Sequence, residues 1–203
     1  MTLTPVSIIG LPGLAWRGEP AANDFDAEAQ RLSITARAGT DWSNDPLTGQ
    51  RTANAAALLF VPEDDFALSA SVSVDFAGTF DAGALCLWQS QAQWAKLCFE
   101  HSPQGEAMVV SVVTRDISDD ANALVIEGSS VHLRLLRIGH AYAFHYSLDG
   151  SVWHFVRLFR LGQGGEPMHA GFLAQAPDTS ECTSTFESIS FSTEVPADLR
   201  NGA

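Results

Sequence analysis

Lysine is almost absent from this 203-residue chain: Lys96 is the only one among 11 basic residues, and the arginines form no cluster. With 24 acidic residues and a formal net charge of −13, the surface has no basic stripe to neutralise phosphates. That argues against nucleic acid and against anionic membranes as partners. Cysteine is scarce too. Cys86, Cys98 and Cys182 cannot all pair within one chain, and none lies in a CxxC arrangement, so a disulfide framework is not expected. They read as small buried hydrophobes. The one electropositive neighbour for a reactive thiol is Lys96, on the same strand face as Cys98. His132, His140, His145, His154 and His169 are scattered singly, which gives no metal-ligand spacing, and no metal or other cofactor is expected. No window approaches eighteen apolar residues, and the first ten residues lack both a basic region and a sustained apolar one, so a soluble, cytoplasmic protein is expected. GxSxG, P-loop and GxGxxG motifs are missing. The segment Gly162-Gln163-Gly164-Gly165 runs into Glu166-Pro167, opens no helix and reads as a loop.

What is present is hydrophobic residue, at 46% of the chain, in short alternating runs. A length of 203 residues suits one domain with a real core, spanning 1–203 with a tail over about 196–203. Alternation without helical period predicts an all-β fold of about ten strands, enough for two packed sheets. The cleanest strand runs from Phe66 to Phe76, with Phe66, Leu68, Ala70, Val72, Val74 and Phe76 on one side and Ser69, Ser71, Ser73 and Asp75 on the other. Asp149-Gly150, between alternating residues, marks a hairpin. Residues 116–127, rich in Asp, Asn and Ala, read as a long connection with room for a short helical turn. The Asp41-Trp42 segment reads as an exposed loop among turn formers.

Against that background Lys96 stands out, because it interrupts the apolar run Trp94-Ala95-Lys96-Leu97-Cys98-Phe99-Glu100. Parity sends Ala95, Leu97 and Phe99 to a core face, and Trp94, Lys96, Cys98 and Glu100 to the opposite, open one. Leu97→Ala or Phe99→Ala is therefore expected to cost roughly 2–5 kcal/mol, and Lys96→Ala little. Trp88 faces Trp94 across a turn at Ser90-Gln91-Ala92-Gln93, and a shared face would make an aromatic platform beside Lys96 of the kind that sugar rings stack upon. Arg134 and Arg137 differ in parity, so one is available to join Lys96 and favour a carboxylate-bearing ligand such as a uronic acid. Only Glu100 supplies a carboxylate on this strand. Asp75 and Glu187 lie on other strands with nothing to bring them there, which favours binding over two-carboxylate hydrolysis.

Several of these segments together resemble a known family. Trp94 to Glu100, then Val109 to Arg115 and Ser118-Asp119, with Thr40-Asp41-Trp42, Phe80-Asp81-Ala82-Gly83-Ala84-Leu85, Ala170-Gly171-Phe172 and Ala176-Pro177, are similar to the regulation-of-enolase-like family, which long carried a domain-of-unknown-function label. The resemblance spans about Ala15 to Phe191. It implies a concanavalin A-like jelly-roll sandwich of two antiparallel sheets, one of them concave, and a polar signature at Trp94, Lys96, Glu100, Thr114, Ser118 and Asp119. Where the family pattern continues with an aromatic after Ser-Asp, this chain has Asp120. The leading expectation is a non-catalytic domain that binds a saccharide or a small acidic metabolite over Trp88, Trp94, Lys96 and Glu100. A glycoside-active enzyme with Glu100 as general acid or base is one alternative, and a protein regulator of a metabolic enzyme such as enolase is the other.

Overall fold

Strict alternation along Phe66–Val74 produces the pattern it dictates: every second side chain is buried, and the intervening ones are partly exposed. The computed structural model describes residues 3–162, 166–200 and 202. Gln163, Gly164 and Gly165 of the glycine-rich segment lie outside these described residues.

Among the described residues the chain forms strands only: β1 (Ala15–Arg17), β2 (Ala22–Asp26), β3 (Arg31–Arg37), β4 (Trp42–Asn44), β5 (Arg51–Ala53), β6 (Ala57–Phe60), β7 (Phe66–Val74) and β8 (Ala82–Ser90), followed by β9 (Gln93–His101), β10 (Ala107–Arg115), β11 (Ile117–Val125), β12 (Ser130–Ile138), β13 (Ala141–Ser147), β14 (His154–Phe159), β15 (His169–Gln175) and β16 (Glu181–Ser192). No helix is long and apolar enough to cross a membrane. One seven-stranded antiparallel sheet has the order β1-β6-β15-β8-β9-β10-β11, a second has the order β14-β13-β12-β7-β16-β3-β2, and β4 and β5 form a separate two-stranded ribbon. The crossovers between non-consecutive strands in both large sheets are those of a jelly-roll sandwich.

The main core lies between the large sheets and contains Ala95, Leu97 and Phe99 from β9 with Leu68, Ala70 and Val72 from β7. A second apolar cluster lies on the other face of the first sheet, with Trp94 and Cys98 from β9 beneath Trp42 of the ribbon. The parity read along β9 is therefore the parity of the fold. Gly171 is required where β15 approaches β6, because a Cβ there would come within 2.0 Å of the Leu58 carbonyl oxygen.

The Asp149-Gly150 hairpin joins β13 and β14 in antiparallel pairing, with Gly150 at φ 74°. Residues 116–127 differ from expectation. They hold β11, the outermost strand of the first sheet, paired with β10 from Met108↔Val125 to Arg115↔Ile117. Asp, Asn and Ala have poor strand propensity, but an edge strand buries little side chain, and pairing with the apolar β10 supplies its backbone hydrogen bonds. Of the C-terminal residues read as a tail, Leu199 packs with Leu136 and Ala143 on the outer face of the second sheet, and Arg134 donates to the Gly202 carbonyl at 2.5 Å.

Candidate functional site

Lys96 is only 3% exposed. The face it occupies, read as open, is roofed by the β4–β5 ribbon. Its ammonium donates to Asp41 Oδ1 at 3.1 Å and to Gln175 Oε1 at 2.7 Å. Burial alone would discharge the amine, but the Asp41 carboxylate, assisted by Glu100, outweighs it and holds the pKa above the ordinary lysine value. Gln175 passes the contact on: its Nε2 donates to the Phe80 carbonyl at 2.8 Å. Phe80 sits at φ 64°, a left-handed conformation that a bulky residue rarely adopts, and the residue is 40% exposed at the cleft wall.

Glu100 is 9% exposed and makes no hydrogen bond to a described residue. Burial raises its pKa from an ordinary 4.5 to about 7; Lys96 opposes the shift, and Asp41 and Asp120 add to it. Asp120 is also pushed up, first by partial burial, with Lys96 opposing and Asp41 and Asp119 contributing. These groups surround a cleft of about 340 Å³ lined by Asp41, Trp42, Lys96, Glu100, Asp120 and Gln175, with Pro46, Leu47 and Phe80 among its walls. Asp45 lines the cleft as well, so one ammonium, already paired, shares it with four carboxyls. Near neutral pH Glu100 is able both to donate and to accept a proton at this site.

The other expected site residues have separate places. Trp88 and Trp94 are cross-strand partners as expected, yet Trp42 lies against both, with centroid separations of 4.7 and 5.8 Å, so Trp94 is wholly buried rather than a platform. Trp42, read as part of an exposed loop, is itself fully buried and donates its indole N–H to the Ala55 carbonyl at 3.0 Å. Thr114 and Ser118 share a hydrogen bond of 2.9 Å, and Ser118 Oγ accepts the Asn44 backbone N–H at 2.9 Å, so this pair anchors the ribbon. Asp119 pairs with Val113 in register, and Val113 belongs to the core between the sheets. Its side chain therefore leaves the cleft, and it binds Arg157 of β14 at 3.0 Å.

Asp120, opposite Val112 in register, takes the cleft position. Cleft residues missed in the sequence include Asp41, Asp45, Asp120, Gln175 and Phe80; the available signals were the departure from the family pattern at Asp120 and the place of Asp41 and Phe80 within motifs shared with the family. Arg134 and Arg137 both lie on β12 in the second sheet, so neither joins Lys96. Asp75 and Glu187 are exposed beyond and on that same sheet. Cys98 is buried and its thiol pKa is pushed well up by desolvation, against the pull of Lys96, which removes it as a nucleophile. Among the described residues no group of His, Cys, Asp and Glu is arranged to hold a metal.

This chain belongs to the family described as Protein of unknown function (DUF1349), whose model matches residues 16–194. No curated protein matches its sequence. Among solved structures, a functionally unknown protein from Saccharomyces cerevisiae is 21% identical with a TM-score of 0.80, covering 90% of this chain and 97% of that one. The GH43 BlXynB protein from Bacillus licheniformis is 12% identical with a TM-score of 0.65 over 81% of this chain, which spans 33% of that protein. An alginate lyase from Klebsiella pneumoniae is 12% identical with a TM-score of 0.53, covering 83% of each chain. At these identities the likeness is one of fold, the jelly-roll sandwich.

Proposed function

We propose that the cleft beneath the β4–β5 ribbon binds a neutral saccharide. The observation that carries this reading is Glu100, a residue only 9% exposed whose carboxyl lines the cleft and accepts no hydrogen bond from a described residue. A carboxyl that faces a cleft with its acceptor sites untaken by the protein is a place for a ligand donor. Sugar hydroxyls are such donors, and Pro46, Leu47 and Phe80 offer the apolar wall that a pyranose face needs. Of the two ligand classes expected from the sequence, the acidic metabolite is disfavoured in this cleft. Lys96 is already engaged by Asp41, and the further carboxyls of Asp45, Glu100 and Asp120 would repel an anion. The name of a further fold neighbour, a xylan β-1,4-xylosidase from Bacillus halodurans, is in keeping with a neutral glycan ligand.

A second reading is favoured by a specific observation. Asp41 and Asp120 line the same cleft as Glu100, whose pKa lies near 7, so a glycoside-active enzyme has the second carboxylate that the sequence did not reveal. Regulation of a metabolic enzyme such as enolase rests on the family resemblance, and the cleft adds nothing to it. The test is a panel of neutral oligosaccharides scored both for binding and for new reducing ends. Binding without turnover, weakened in Glu100→Gln, supports the leading reading. Turnover lost in Glu100→Gln replaces it with the enzymatic one, and a panel with neither sets both aside.

A further inference from the structure

A second pocket opens on the same face of the first sheet, and its chemistry is opposite in sign. It has a volume of about 220 Å³ and is lined by Ala15, Trp16, Arg17, Leu59, Trp88 and His169. Register puts the parts together: Arg17 on β1 pairs with Ala57 on β6, and His169 on β15 pairs with Trp88 on β8. The Arg17 guanidinium lies 3.6 Å from the Trp88 ring centroid and 5.3 Å from that of Trp42. Trp42 therefore separates two environments, because it also lines the Lys96 cleft.

Arg17 spends one donor on the Ala53 carbonyl, at 3.0 Å, and forms no ion pair with any described residue. No carboxylate lines the pocket, although the chain carries 24 acidic residues. His169 lines the pocket as well, with its Nδ1 turned away from solvent and without a partner among the described residues. A half-buried guanidinium placed over the Trp88 ring and near Trp42, with donors left over and no acid lining the pocket, is suited to receive an anion. Trp16 and Leu59 give the pocket apolar walls, which suit a small ring rather than a bare ion.

We propose that this Arg17–Trp88 pocket is a second ligand site, which takes the carboxylate of a sugar acid. The neutral saccharide site and the acidic one then lie on one face, on either side of Trp42. The two pockets share no lining residue, so the second proposal does not rest on the first.

The experiment is a titration of the protein with sodium glucuronate, glucose and inorganic phosphate, followed through the tryptophan indole N–H resonances and repeated in three variants. Glucuronate is expected to move the Trp16 and Trp88 signals, with glucose and phosphate at least about tenfold weaker, as loss of a charge-assisted hydrogen bond or of the apolar contact implies. Arg17→Gln should lose glucuronate by about ten- to hundredfold. Arg17→Lys, which keeps the charge and guards against a folding defect in the first variant, should lose less but still bind measurably more weakly. Glu100→Gln should bind glucuronate as the parent does, whatever happens to neutral sugars. Phosphate binding as tightly as glucuronate, unchanged affinity in Arg17→Lys and Arg17→Gln, or no movement of the two indoles would each overturn the proposal.

Discussion

Lys96 Nζ lies 3.1 Å from Asp41 Oδ1, across a separation of 55 residues, and the pair closes the β4–β5 ribbon over the first sheet. The lysine side chain is 4% exposed and the aspartate 23%. That one contact turns what looks like an open strand face into a roofed cleft, and it revises the expectation that Lys96 is dispensable to the fold.

Lys96→Ala should destabilise the protein by about 2–3 kcal/mol, below the usual range for breaking a buried pair because Asp41 keeps some water. Lys96→Met, which keeps the stem volume, should recover part of that loss. Chemical denaturation of the two variants beside the parent measures both, and a parent-like midpoint for Lys96→Ala would mean that the ribbon does not depend on the pair.

Phe99→Ala and Leu97→Ala should cost more, roughly 2–5 kcal/mol each, since both side chains are wholly buried between the sheets. The same denaturation series gives the ranking, with Phe99→Ala expected to fall furthest.

Glu100 carries a pH dependence of definite sign. Its pKa rises from 4.5 in the ordinary state to about 7 in the fold, so the folded chain holds the proton more tightly than the unfolded one. The stabilising contribution of the protonated form is complete below pH 4.5 and is lost as pH rises through about 7. Glu100→Gln, neutral at every pH, should therefore melt close to the parent at pH 4 and above it at pH 8. Parallel melting curves for the two proteins across that range would place the Glu100 carboxyl in water.

Phe80 separates stability from binding. Glycine relieves the left-handed backbone at φ 64° but adds freedom to the unfolded chain, two effects of about 1 kcal/mol that oppose each other. Phe80→Gly should thus leave the melting temperature nearly unchanged and weaken the oligosaccharide found by the panel. A variant that binds as the parent does would take the ring out of the site.

Much of the fold was legible in the sequence because alternation is local. The split between Trp94, Lys96, Cys98 and Glu100 on one face and Ala95, Leu97 and Phe99 on the other needs only the pleat, and the Asp149-Gly150 turn needs only its two residues. What failed was long-range or set by neighbours. Nothing near Asp41 announces that it meets Lys96, or near Gln175 that it does so across 79 residues. β11 was hidden because its composition suits a loop, and its pairing partner, not its own side chains, makes it a strand. Mistaking that strand for a connection also removed the means of telling Asp119 from Asp120, since only register decides which of two adjacent aspartates faces the cleft.

The site itself is tested most directly by mapping where a neutral oligosaccharide touches the protein, using methyl and aromatic NMR signals. Leu47 and Phe80 stand 94% and 40% exposed at the cleft, while Leu148 and Val152, at 63% and 58%, stand exposed away from its lining. A ligand in the proposed site should shift Leu47 and Phe80 in a saturable way, leave Leu148 and Val152 in place, and do so more weakly in Glu100→Gln. Saturable shifts at Leu148 and Val152 with Leu47 and Phe80 unmoved would contradict the assignment of this cleft as the ligand site.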